Sequence, residues 1–142
     1  MGVRGNPSVT APSKSAKGGV RRLLDACRYS YAGFRHALRN EAALRQEVLL
    51  FVVLAPVSAI LQVTRVEHVL LVLVLLLVLL VEFLNSAIEA AVDRVSTEIH
   101  PLAAQAKDLG SAAVLLSLLM AAFAWVVIAG PSAWVFLRRL PR

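Results

Sequence analysis

The sequence predicts an all-α membrane protein with three transmembrane helices and an N-terminal amphipathic helix on the membrane surface. Three observations carry this reading. Of 142 residues, 58% are hydrophobic and 17% charged, too apolar a balance for a soluble domain of this size. Apolar blocks at 48–63, 69–92 and 109–137 are each long enough to cover a hydrocarbon layer of about 30 Å at about 1.5 Å per helical residue. The first block is short and draws on residues from Leu44 onward. Between residues 20 and 47, Leu23, Leu24, Cys27, Tyr31, Phe34, Leu38 and Ala42 recur at helical steps among Arg21, Arg22, Arg28, Arg35 and Arg39, the pattern of a basic helix with one apolar side.

Taken in order, residues 1–19 are rich in Gly, Ser, Pro, Ala and Lys, lack apolar periodicity and contain no apolar core of a signal peptide, which predicts a disordered tail. Residues 20–142 form one membrane domain: the surface helix at 20–47, then spans at 48–63, 69–93 and 109–137. The linker 62–68 allows only a tight turn between two spans. The connection 94–108 holds His100 before Pro101, and a helix restarts at Pro101 because proline is tolerated in a first turn. Pro56 and the Gly130-Pro131 pair fall inside spans and predict kinks. His36 and His68 read as surface residues. Cys27 is the only cysteine, which excludes an intrachain disulfide and reads as a small packing residue.

The net charge of +6 would point to nucleic acid on a soluble surface, but nine of the fifteen Lys and Arg residues precede the first span. Orientation accounts for them better. With the N-terminus cytoplasmic, eleven basic residues lie inside and four outside, namely Arg65, Arg138, Arg139 and Arg142. Three short spans enclose little volume, so self-association is expected, with Ala112, Ala113, Ser117, Ala121 and Ala122 at helix contacts.

The second span is apolar without interruption over 69–81 and then turns acidic. Glu82, Asn85, Ser86, Glu89 and Asp93 fall within roughly 100° of one another on a helix at about 100° per residue. A carboxylate costs about 2.5–3.5 kcal/mol at the bilayer centre on insertion scales, so such a stripe must face protein, water or a cation. Phosphate loops of the GxxxxGK[ST] kind, GxGxxG after a strand, kinase HRD and DFG sets and zinc-type His/Cys spacing are all absent. Carboxylate chemistry remains. Glu41, on the surface segment, approaches the same membrane boundary as Glu82 and Glu89, and hard oxygen ligands of this type suit Mg²⁺, which takes one or two carboxylates and completes its shell with water and phosphate oxygens. Lys107 could neutralise phosphate oxygens. Alternatively, Lys107 snorkels to the interface, Asp108 is an N-cap, and the Glu82 and Glu89 pair locks a helix bundle.

The string 82–94 (Glu-Phe-Leu-Asn-Ser-Ala-Ile-Glu-Ala-Ala-Val-Asp-Arg), followed by His100-Pro101-Leu102 and by Ala106-Lys107-Asp108-Leu109-Gly110-Ser111-Ala112-Ala113, closely resembles the small prokaryotic diacylglycerol kinase family. The resemblance extends through Asn40-Glu41-Ala42-Ala43 and Arg45-Gln46-Glu47 back to Tyr29-Ser30 and Arg22, covering about residues 20–130. It implies a homotrimer of three-span protomers with active sites shared between subunits, in the bacterial inner membrane, transferring the γ-phosphate of MgATP to the primary hydroxyl of diacylglycerol to form phosphatidic acid. By the same resemblance, Glu82 is the catalytic base, Asn85 helps to position the reacting groups, and Glu41 and Glu89 hold the divalent cation. Arg22, Tyr29, Glu41, Glu89, Glu98, His100, Lys107 and Asp108 match positions around ATP; Arg22, Ser30, Glu47, Glu82 and Ser111 match positions near the lipid. Tyr31 and Phe83 depart from the common family pattern at positions that are not proposed ligands. Two alternatives stand: a sister branch of the family that phosphorylates undecaprenol, and a non-catalytic membrane protein whose acidic stripe conducts protons or cations.

Overall fold

The computed structural model describes residues 19–95, 100–132 and 134. Among them there is no strand. The helices are α1 (Gly19–Asn40), α2 (Ala42–Ile60), α3 (Arg65–Val95) and α4 (Pro101–Ala124), the last continued by a π-helical turn, Trp125–Ala129. The chain divides into two compact units, residues 1–34 and 35–142, so that α1 begins in the first and ends in the second. The predicted tail, apart from Gly19, lies outside the described residues, as does Glu98.

In the first unit α1 exposes Val20, Leu23, Leu24, Tyr29 and Tyr31 together with its arginines. Cys27, expected to pack, is exposed as well, because no element of this unit covers its side of the helix.

The second unit starts where α1 ends. The Asn40 side chain donates to the His36 carbonyl at 3.0 Å, the Arg45 guanidinium donates to the Arg39 carbonyl at 3.2 Å, and the Glu41 N–H still reaches the Ala37 carbonyl at 2.8 Å. These bonds satisfy carbonyls that a helix end leaves without partners. Glu41 then turns extended (φ −100°, ψ 117°) and starts α2 without a capping bond from its own side chain, which leaves the carboxylate uncommitted by the cap. Ala37, Leu44 and Leu79 form a buried cluster against Leu38, Val48, Phe51 and Phe83, tying the end of α1 and the start of α2 to the middle of α3.

Among the described residues three helical stretches are long and apolar enough to cross a membrane: Ala42–Ile60, Arg65–Arg94 and Pro101–Ser132. At 19 residues the first is close to the minimum of about 17–20. Even in the middle stretch only 28% of the most apolar window is buried within the chain. The remaining apolar surface has no partner inside one protomer, which fits a multi-pass membrane protein.

α3 packs chiefly on α4 and also on α2. Its buried positions are Leu71, Leu75, Val78, Leu79, Glu82 and Asn85. The seam at 71, 75, 78, 82 and 85 keeps alternating steps of three and four residues, so the polar stripe is the direct continuation of the leucine seam. Opposite it α4 buries Gly110, Ser117 and Ala121, small residues that let helix backbones approach. Ala112, Ala113 and Ala122 are exposed on the single chain.

The α2–α3 end is tightly tied. Thr64 and Glu67 form a reciprocal capping box: the Thr64 N–H donates to Glu67 Oε2 at 2.7 Å and the Glu67 N–H to Thr64 Oγ1 at 3.3 Å. α3 thus starts inside the stretch that the sequence assigns to the turn. Ser58, 1% exposed, donates from Oγ to the Ala55 carbonyl at 2.6 Å and lies 3.0 Å from His68 Nδ1. With the hydroxyl hydrogen used on Ala55, His68 must be the donor in that pair. His68 is therefore a partly buried strut between α2 and α3 rather than a surface residue. The Trp125 indole donates to the Leu71 carbonyl at 3.3 Å, and the Ser132 hydroxyl donates to the Gln62 carbonyl at 3.2 Å.

Candidate active site

The polar end of α3 collects the site. Glu82 is 5% exposed and Asn85 8% exposed, both held there because the leucine seam ahead of them fixes which side of α3 faces α2 and α4. One turn on, Glu89 is half-buried, and its Oε1 accepts a hydrogen bond from Asn85 Nδ2 at 3.0 Å. The Glu82 carboxylate lies within Coulombic reach of Glu89 and of Glu41, which arrives from the α1–α2 junction. Glu47, the buried carboxyl of α2, is within reach of Glu82 in turn. The structure therefore gathers Glu41, Glu47, Glu82, Asn85 and Glu89 from separate parts of the sequence into one anionic cluster.

Two atoms of this cluster have no hydrogen-bond partner, Glu47 Oε2 and Asn85 Oδ1. Buried polar atoms are paired in the great majority of cases, so each unpaired one calls for an explanation. Glu47 sits in the wall of a cavity of about 310 Å³ that is otherwise lined by apolar side chains, Leu50 and Leu54 of α2, Leu75 and Val78 of α3, and Leu118 of α4 among them. Asn85 Oδ1 is pressed against Gly110 of α4.

Farther along the stripe, Asp93 and Lys107 join α3 to α4 through an ion pair of 2.5 Å. Lys107 also lies within Coulombic reach of Glu89. The periodicity of α3 puts Asp93 on the stripe, and its pairing with Lys107 depends on the α3–α4 register. His100 precedes α4 as its N-cap, its Nδ1 accepting from the Leu102 N–H at 3.2 Å, with Pro101 in the first turn. Asp108 lies in the second turn of α4 and is exposed, which removes the N-cap alternative for it. Ser111 is exposed on the same helix. Arg22, Tyr29 and Ser30 are exposed on α1 in the first unit.

The donor set has the chemistry of a hard-cation site. Among the described residues no group of three or more His, Cys, Asp or Glu side chains is arranged as a metal cage. Mg²⁺ rarely uses such a cage; one or two carboxylates with substrate phosphates and water suffice. Glu41, free of the α2 cap, and Glu89, oriented by Asn85, fit that mode.

An all-helical, multi-pass membrane protein with a carboxylate cluster at one end of its bundle is the class that fold and site define. The family model for prokaryotic diacylglycerol kinase matches residues 28–129. Diacylglycerol kinase of Pseudomonas aeruginosa is 56% identical over 110 residues, spanning 78% of this chain and 89% of that protein. The diacylglycerol kinase of Escherichia coli is 47% identical over 116 residues (78% and 90%), and that of Haemophilus influenzae 40% identical over 107 residues (75% and 91%). The chain belongs to the prokaryotic diacylglycerol kinase family.

Proposed function

We propose that this protein is a diacylglycerol kinase, transferring the γ-phosphate of ATP to the primary hydroxyl of diacylglycerol and releasing phosphatidic acid and ADP. The observation that carries the mechanism is the convergence of Glu41, Glu82, Asn85 and Glu89 at the polar end of an otherwise apolar helix. Diacylglycerol stays in the leaflet and ATP arrives from water, so a site at that boundary serves both.

Phosphoryl transfer asks for in-line positioning and for compensation of negative charge on the transferring group. Glu82 accepts the proton of the lipid hydroxyl while its oxygen bonds to the γ-phosphorus and the bond from phosphorus to the bridging oxygen breaks. Asn85 donates to the Glu89 carboxylate, and Glu41 comes from the α1–α2 junction to within Coulombic reach of Glu82, as Glu89 does. Glu41 and Glu89 would hold the Mg²⁺, which would supply positive charge against the phosphate oxygens. Lys107, paired with Asp93, would offset phosphate charge, and by the family resemblance Arg22, Tyr29, Glu98, His100 and Asp108 serve the nucleotide. By the same resemblance Arg22, Ser30, Glu47 and Ser111 serve the lipid substrate.

In this reading the N-terminus is cytoplasmic, the membrane is the bacterial inner membrane, α1 rests its apolar side on the bilayer surface, and three copies share their active sites. The large uncovered apolar surface of the three spans and of α1 supports both the membrane contact and the self-association. Incubating the purified full-length protein in mixed micelles with labelled ATP, Mg²⁺, diacylglycerol and undecaprenol tests it. Labelled phosphatidic acid, abolished by a chelator and restored by Mg²⁺, is expected. Preferential labelling of undecaprenol would replace the acceptor, and retained turnover in all of Glu41→Gln, Glu82→Gln and Glu89→Gln would remove the mechanism.

A further inference from the structure

We infer that Gly110 is a positioning residue for this site, acting through Asn85 on the Glu89 carboxylate; the inference rests on the kinase reading given above. Gly110 is buried in α4 and directly faces Asn85 of α3. A Cβ at position 110 would collide with Asn85 Oδ1, crowd Cγ at 3.3 Å and reach Cα at 3.9 Å. No glycine among the described residues has a positive φ, so the reason for glycine here is room and not backbone conformation. Glycine is a poorer helix former than alanine, and Ala112 and Ala113 follow close behind it, so a glycine in this helix interior needs such a reason. Gly33 and Gly130 form the contrast, with nothing within 4 Å of an added Cβ.

The two ends of the Asn85 carboxamide are not interchangeable. A carboxylate only accepts hydrogen bonds, so the NH₂ end must face Glu89, and the carbonyl end is thereby aimed at Gly110. That oxygen is buried without a partner, an arrangement retained although it costs stability. The side chain is short, and its Cα is fixed in the α3 seam beside α4. The atom in the way of a methyl group at 110 is the far end of that side chain, so the carboxamide turns, which withdraws Nδ2 from Glu89 and frees that carboxylate to rotate. Gly110 thus sets the orientation of a proposed metal-binding oxygen without touching substrate or cation.

The test uses the full-length protein in detergent, with Mn²⁺ and the non-hydrolysable analogue adenylyl imidodiphosphate as probes, read by electron paramagnetic resonance. Gly110→Ala is expected to weaken nucleotide-dependent Mn²⁺ binding by about 10- to 100-fold, the usual effect of losing a group that orients a ligand, and to raise the Mg²⁺ requirement of turnover in the same proportion. Asn85→Ala is expected to do the same. The double variant should bind no worse than Asn85→Ala alone, because truncating Asn85 clears the space that the new methyl group needs. Gly130→Ala should match the wild type. Wild-type Mn²⁺ affinity in Gly110→Ala, or losses that multiply in the double variant, would overturn the inference. A wild type with no nucleotide-dependent Mn²⁺ binding would instead overturn the functional reading and the role of Glu89 with it. The contact is then read separately from the unfolding midpoints of the wild type, Gly110→Ala, Asn85→Ala and the double variant: shifts that fail to add support it, and additive shifts remove it.

Discussion

The two ends of the helix bundle treat their polar groups in opposite ways. At the α2–α3 turn, Thr64 and Glu67 cap each other, Ser58 pairs with His68 and Ala55, and Ser132 reaches Gln62. At the other end Glu82 is buried among carboxylates, while Glu47 Oε2 and Asn85 Oδ1 stay unpaired. An apolar environment magnifies both the value of a made hydrogen bond and the cost of an unmade one. The paired end therefore holds the helices together. The other end is held in place by the leucine seam and by the paired end, and although Asn85 pairs with Glu89 and Lys107 with Asp93, its two unpaired buried atoms cost stability where the proposed site lies.

Substitutions can break or sharpen that contrast. The largest effect is expected from Glu82→Gln, which should lower kcat by about 100- to 10,000-fold, the range for losing a general base, with no loss of thermal stability because a buried charge goes with it. Rates with diacylglycerol set beside unfolding midpoints check this, and a destabilised variant would place Glu82 among the structural groups. Glu47→Leu comes next. Replacing a carboxyl that has one buried, unpaired oxygen beside an apolar cavity should stabilise the fold by about 1–3 kcal/mol, measured by unfolding in mixed detergent micelles, while turnover on lipid falls. At the other end the stability sign reverses and the effect on turnover disappears: Thr64→Ala should destabilise by about 1 kcal/mol through the lost cap and leave kcat unchanged. Ser58→Ala should cost the least, about 0.6 kcal/mol, the average for a side-chain hydrogen bond between membrane helices, again without effect on kcat. Lost turnover in either of these last two, at unchanged metal affinity, would show that the two ends are coupled.

Much of the working end can be read from residue order because it lies on one helix. Glu82, Asn85, Glu89 and Asp93 follow helical periodicity, and Asn85 reaches Glu89 across the expected four-residue step. His100-Pro101 marks the start of α4 for an equally local reason, proline in the first turn after a side-chain cap. The Thr64-Arg65-Val66-Glu67 box was equally legible, yet ending the turn at His68 hides it, since the cap then falls inside a supposed loop. Only the resemblance puts Glu47 near lipid; its burial depends on α2 meeting α3, which no local pattern reports. His68 looks like any interfacial histidine until Ser58 is brought to it from another helix. Asp108 resembles a cap only when the first apolar residue of the span, Leu109, is taken for a helix start, although the helix already begins at Pro101.

Residue order alone determines the three apolar spans, the polar stripe on the second and the basic character of α1, because hydrophobic period and helix geometry act within a few turns of one chain. Family membership is likewise carried by residues that stand close together along it. Only tertiary structure decides that Glu41 and Glu47 join Glu82, that Lys107 pairs with Asp93, and that Gly110 makes room for Asn85. Those contacts depend on the register between packed helices, and register is set by how the small residues of α4 and the leucines of α3 fit together rather than by any segment on its own.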